Sequence, residues 1–289
     1  MPLRNLFFSP KDGRLRAGWR IAFFFVLYFS ITFLLAIPAF ALMGFNPDVT
    51  NPRDLLFASL IGGIASGLAV FMTRRSIDRK SVESLGLAPA RMWRDLLAGV
   101  GIGTLMIALI YLFLLVPGWL VFEGFAWETD PFSVWALALL NLTLAFILVG
   151  ISEEVMVRGY ILQNIEDGLN LLWAIVISSS LFALLHLGNP GGAAFGPIFG
   201  IFLAGLFFAY AYLRTRSLWL AIGLHFGWNL AMNAVFGFAV SGADAPGLLH
   251  QAVTGPEIWT GGAFGPEAGL VLLPALAAGV ALVAWYTRG

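Results

Sequence analysis

The sequence predicts an all-α, polytopic membrane protein of about eight transmembrane helices with both termini in the cytoplasm. Three observations carry that prediction. Hydrophobic residues make up 60% of the 289 positions, and the mean hydropathy is +0.88. Only 11% of residues are charged, against roughly 25% in a soluble domain. Apolar runs close to the length needed to cross the hydrocarbon core, about 20 residues, recur along the chain, and basic residues collect between alternate runs.

In order, the apolar segments are 19–43, 54–73, 95–120, 132–157, 170–187, 196–213, 217–239 and 267–287. The first, Ile21 to Met43 at its core, is too long for a cleavable signal sequence and has no clear cleavage site, so it reads as a permanent span. Arg4, Lys11, Arg14, Arg16 and Arg20 precede it. Arg74, Arg75, Arg79, Lys80, Arg91 and Arg94 surround the connection between the second and third spans, and Arg158, Arg214, Arg216 and Arg288 follow the fourth, sixth and eighth. With eight crossings and a cytoplasmic amino terminus, all of the 16 basic residues except Arg53 fall inside. The stretch around Glu123, Glu128 and Asp130 is acidic and falls outside. Ser241 to Pro266, rich in Gly, Pro and Ala, reads as an outer, partly re-entrant loop. Gly99-x3-Gly103 and Gly196-x3-Gly200 fit close helix packing. The chain divides into 1–129 (three N-terminal spans), 130–240 (a core of four spans) and 241–289 (outer loop and last span).

Cysteine is absent, which excludes disulfides, thiolate metal sites and a cysteine nucleophile. No H-E-x-x-H, G-x-G-D or G-x-S-x-G pattern occurs. The formal net charge of zero and the lack of a basic domain give no sign of a nucleic-acid partner.

The informative residues are the few polar ones inside apolar segments. Glu153-Glu154-x3-Arg158 ends a run of about twenty apolar residues, where ionised side chains are costly and usually functional. Glu154 and Arg158, four apart, share a face and can pair. Glu153 is turned about 100° from Glu154 and can face a different neighbour. Phe182-x3-His186 closes the fifth segment, and His225-x3-Asn229 lies in the seventh. Each feature alone has a plain alternative: a helix-end ion pair, a packed histidine, an interhelical amide. Glu, two His and Asn on three helices together suit hydrolysis. A desolvated carboxylate can act as base on water, a histidine can orient it, and a second histidine with an amide can donate to an oxyanion. Zn²⁺ held by Glu153, His186 and His225 is an equally open alternative at this level.

The three patterns, in this order, resemble the CPBP family of intramembrane endopeptidases, which includes the CAAX prenyl proteases of the Rce1 type and proteins linked to bacteriocin self-immunity. The resemblance covers about residues 130–240. It implies a CAAX-type membrane peptide hydrolase in which Glu153 activates water, His186 assists, and His225 and Asn229 hold the oxyanion. Glu154, Arg158 and Phe182 support the site. On that reading no cofactor is required. The partners are the lipid bilayer and a membrane-associated peptide or protein, isoprenylated in the eukaryotic members. Short loops and the strong charge bias point to a prokaryotic cell membrane, with the active site open to the cytoplasmic side.

Depth gives one tension. Glu153 is expected near the inner face, whereas His186 lies some sixteen residues into its span, roughly 24 Å at 1.5 Å per residue. A misplaced boundary of the fifth helix is the expected cause. The alternatives to an enzyme are a non-catalytic scaffold or immunity factor with the same fold, and a transporter using these residues as a proton or cation relay.

Overall fold

The computed structural model describes residues 4–10, 13–43 and 48–288. Lys11, counted above toward the charge bias, lies outside the described residues. Each of the eight apolar segments forms a helix: α1 Ala17–Met43, α2 Pro52–Met72, α3 Met92–Leu115, α4 Phe132–Glu154, α6 Leu171–Leu185, α7 Phe195–Thr215, α8 Leu218–Asn229 and α9 Leu272–Tyr286. Short α5, Gln163–Gly168, continues α4 through a π-helical stretch, Val155–Leu162, and a second π-helical stretch, Leu230–Val235, continues α8. Among the described residues five helical stretches are long and apolar enough to cross a membrane: 17–41, 52–77, 89–115, 132–168 and 195–215. Helices α6 and α9 are apolar but shorter. Leucine and phenylalanine cover much of the outer surface of α1, α4 and α6, as expected of an integral membrane protein.

Helix ends follow local chemistry. Asn51, with Pro52 at the first helical position, caps α2; Asn170 accepts from Trp173 N to start α6; Ser217 accepts from Trp219 N to start α8. Side-chain oxygens thus satisfy amides that lack an intrahelical partner.

The packing of α3 on α8 holds one wall of the core. Gly99 and Gly103 face Gly223 and Gly227 across the contact, and a Cβ at Gly103 would lie 2.5 Å from Leu224 O. Any Cβ at Gly99 or Gly223 would meet the opposing backbone at Leu220 or Leu96. The first glycine pair was visible as a repeat; its partner pair emerges only from the contact. Gly196 and Gly200 face the short 3-10 turn Pro266–Ala268, and Gly200 also faces the Leu272 side chain at the start of α9. They accommodate the backbone of Ala268 and Glu267, from the segment before α9.

Two features depart from the sequence reading. The fold is not purely helical: β1, Leu120–Phe125, pairs antiparallel with β2, Leu249–Val253, with a bulge between Phe122 and Gly124. These strands join connections far apart in sequence, and Leu120 is not part of the third span. Arg158 is not a cytoplasmic loop residue. It is fully buried in the π-helical stretch, so the charge bias rests on the others. At the basic end Arg74 and Arg20 are also buried, paired to Asp78 at 3.1 and 3.5 Å.

Candidate active site

The local order of α4 sets the two glutamates apart. Glu154 is fully buried; its Oε1 accepts from Arg158 Nη1 at 2.8 Å, one helical turn on. Arg158 Nη2 donates to Gly205 O on α7 at 3.1 Å. Its guanidinium lies 4.4 Å from the ring centre of Phe182 and 5.2 Å from that of Phe208, a geometry in which the ring faces favour the cation. Glu154 Oε1 also accepts from His225 Nδ1 at 3.0 Å. Phe208 stacks on the His225 imidazole with centroids 4.8 Å apart. A carboxylate, a guanidinium and two aromatic rings therefore fix the position of His225.

Glu153 points elsewhere. Its side chain is 26% exposed, yet Oε2 is buried and has no hydrogen-bond partner. His186 Nε2 stands 4.0 Å from that oxygen and His225 Nε2 stands 3.8 Å from it. His186 occupies the C-cap of α6. Its backbone amide turns to Ala183 O, which leaves Phe182 O free to accept from His186 Nδ1 at 2.8 Å. The Phe182-x3-His186 spacing is thus used directly: a terminal carbonyl orients the ring. Since a carbonyl only accepts, the Nδ1 proton is placed on that side, and Nε2 faces Glu153. Asn229 is buried and lines the same chamber.

The chamber has a volume of about 190 Å³ and contains Glu153, His186, His225 and Asn229 in its wall. The sequence-derived set is brought together here, with Phe182 also in the wall and Glu154 and Arg158 packed behind it. The depth tension disappears, although its cause is not the fifth helix. Helix α6 begins and ends close to expectation, at Leu171 and Leu185. The fourth helical stretch instead runs on to Gly168. Glu153 and His186 each lie about fifteen residues, roughly 22 Å, from the turn joining α5 to α6. Glu153 is therefore deep in the bundle, not at its inner face.

Placing Glu153 at the inner face led to the expectation of a site open at the basic end; the chamber itself extends away from that end. Its other wall residues include Val49, Asn189, Pro190, Ser241, Ala243 and Glu267, all from connections at the opposite end. Of these, Glu267 escaped the sequence reading, where it merely began the last span. It is buried and accepts from Trp228 Nε1 at 3.0 Å, Ser241 N at 2.7 Å and Ser241 Oγ at 2.8 Å. Its one signal was being an acidic residue inside a Gly- and Pro-rich stretch. Phe208 had no signal beyond its apolar helix.

Among the described residues no group of three or more His, Asp or Glu side chains is arranged to hold a metal ion. The Nε2 atoms both address Glu153 Oε2, at distances that suit groups sharing a bridging hydrogen-bonded molecule.

Comparison with known proteins bears on this cluster. Residues 134–231 match the family model described as type II CAAX prenyl endopeptidase, Rce1-like. No curated protein and no solved structure gave a match. The matched stretch contains every residue from Glu153 to Asn229 named above and excludes Glu267. Residues 134–231 are thus similar to the Rce1-like type II CAAX prenyl endopeptidases, and the similarity covers the stretch that carries the cluster.

Proposed function

We propose that the protein is an intramembrane endopeptidase that hydrolyses a peptide bond in a membrane-associated peptide or protein by means of water activated on Glu153. The observation that carries this reading is the unpartnered, buried Oε2 of Glu153, faced by two imidazole nitrogens on other helices. A buried carboxylate oxygen with no partner is costly and is the acceptor a general base requires.

In this mechanism water donates one hydrogen to Glu153 and is oriented by His186 Nε2. Its oxygen attacks the scissile carbonyl carbon, and its proton passes to Glu153. The carbonyl oxygen becomes an oxyanion. Asn229 donates to it from its amide, and His225 from Nε2–H when the ring carries both protons, a charge that Glu154 offsets. The carbon–nitrogen bond then breaks, and the proton on Glu153 goes to the departing amine. Arg158 holds Glu154 in place and touches no reacting atom.

We further propose eight crossings with cytoplasmic termini, the three shorter helices included. The zinc alternative would use Glu153, His186 and His225. It predicts that a chelator abolishes turnover and Zn²⁺ restores it, whereas a glutamate–water mechanism predicts turnover unchanged by chelation.

The primary test compares protein termini in membranes carrying wild-type protein and Glu153→Gln at equal abundance. New termini confined to the wild type are expected. Identical termini in both, with both proteins folded, would leave the non-catalytic scaffold as the better reading.

A further inference from the structure

Among the described residues, Glu267 is the acidic residue of the chamber wall that the proposed mechanism leaves unused. It sits in the 3-10 turn Pro266–Ala268, just before α9, outside the stretch that matches the family model. It is 4% exposed, and a buried carboxylate is costly unless donors or cations meet it. Its three hydrogen bonds all come from neutral donors. Oε1 accepts from Trp228 Nε1 at 3.0 Å. Oε2 accepts from Ser241 N at 2.7 Å and from Ser241 Oγ at 2.8 Å. Glu153 Oε2, by contrast, has no partner. The Glu267 carboxylate is tethered, and so is not the free acceptor that a base on water needs.

Both of its anchors lie beside residues of the proposed mechanism. Trp228 precedes Asn229 in the last turn of α8, where the helix passes into its π-helical continuation. One turn earlier, His225 is held by Glu154. Among the described residues no hydrogen bond holds the Asn229 amide itself, so its direction follows the rotation of this last turn. The indole bond to Glu267 fixes that rotation at a second point, three residues beyond His225.

The other anchor leads to His186. Ser241 O accepts from Asn189 Nδ2 at 3.0 Å, and Asn189 N donates to His186 O at 3.1 Å. A series of hydrogen bonds thus runs from the backbone of His186 through Asn189, Ser241 and Glu267 to Trp228. Ser241 has a φ of 48°, in the left-handed region that residues other than glycine seldom occupy. Such a conformation persists where its surroundings hold it; the bonds to Glu267 and Asn189 do so here.

We propose that Glu267 is a positioning residue of the hydrolytic site. Through Trp228 it aims the Asn229 amide at the oxyanion, and through Ser241 and Asn189 it ties the segment after His186 to the same point. The inference rests on the endopeptidase reading. Glu267 takes no proton and touches no reacting atom. The site is braced on two sides: Glu154 holds His225, and Glu267 holds the turn that carries Asn229.

Glu267→Gln and Trp228→Phe test this. The first replaces a carboxylate oxygen by an amide nitrogen, a donor set against donors. The second removes the indole N–H, keeps an aromatic ring and leaves Glu267 on Ser241. Protein labelled with ¹⁵N at asparagine is compared in detergent, with the Asn229 amide signal assigned by its loss in Asn229→Ala. Turnover is measured on a synthetic peptide copying the sequence across a terminus found with wild-type protein and not with Glu153→Gln. The expected result is a shifted Asn229 signal in both variants, with kcat lowered by up to about 10²-fold and KM nearly unchanged. The double variant should be no slower than the slower single one, because both changes break the same link. An Asn229 signal unmoved in Trp228→Phe, or kcat losses that multiply in the double variant, would overturn the proposal. So would a change confined to KM, or a lower unfolding midpoint with kcat per folded molecule intact. Where Glu267→Gln does not fold, Trp228→Phe alone decides. Cleavage unaffected by Glu153→Gln would defeat the endopeptidase reading, while the Asn229 signal would still report whether Glu267 holds Asn229, so the two failures are distinct.

Discussion

Two adjacent carboxylates have different surroundings, and the proposed mechanism gives them different duties. Glu154 is held by Arg158 and His225, while Glu153 Oε2 has no hydrogen-bond partner. Truncating one member of a buried ion pair leaves the other charge uncompensated. Glu154→Ala is therefore expected to destabilise the protein by roughly 3–5 kcal/mol, visible as a lower unfolding midpoint in detergent. On the proposed mechanism Glu153→Gln removes only the base: turnover should fall about 10²–10⁴-fold with the midpoint unchanged. A Glu153→Gln protein as unstable as Glu154→Ala would show that both carboxylates are structural. Asn229→Ala should lower kcat by about 10²–10³-fold, the loss expected for one oxyanion donor, with little change in KM. A KM effect alone would place Asn229 in binding.

At the scale of elements, the site depends on how closely α3 and α8 approach. Gly223 and Gly227 let α8 lie directly on the α3 backbone, and His225 sits between them in sequence. Gly223→Leu should force the helices apart, at the roughly 1–3 kcal/mol typical of overpacking or more, and should move His225 away from Glu153. Thermal unfolding and turnover should fall together in that variant. Turnover kept at the wild-type level would show that His225 is held by Glu154 and Phe208 alone. The motif spacings were readable because each lies within one helix, so periodicity alone places Glu154 beside Arg158 and His186 beside Phe182 O. The π-helical continuation of α4 was not readable. Val155–Leu162 looks like the end of a span followed by a charged loop, since Arg158 carries a charge. Only the packing of Glu154, Phe182 and Phe208 around that charge lets the helix run on to Gly168.

For the molecule as a whole, the eight apolar segments form helices, and among the described residues five helical stretches satisfy the length and composition of a membrane span. Eight crossings predict alternate ends on opposite sides. A reporter phosphatase that is active only outside the cytoplasm should be active when fused after Asp130 and inactive when fused after Arg288. Activity at both positions would remove the even number of crossings. The sequence by itself determined the membrane class, the order of the helices, the identity of the hydrolytic residues as candidates and the charge asymmetry between the two ends. These are properties of composition and of spacing within a helix, which hydropathy and a 3.6-residue period encode directly. Tertiary structure alone decided three things. Both imidazole Nε2 atoms face the unpartnered Oε2 of Glu153; Glu267 frames the chamber from a distant connection; and Arg158 is buried against Phe182 and Phe208 where a loop was expected. Each depends on contacts between segments far apart in the chain, where the favourable partner for a buried charge or an orphaned donor is fixed by packing and leaves no periodic trace in the sequence.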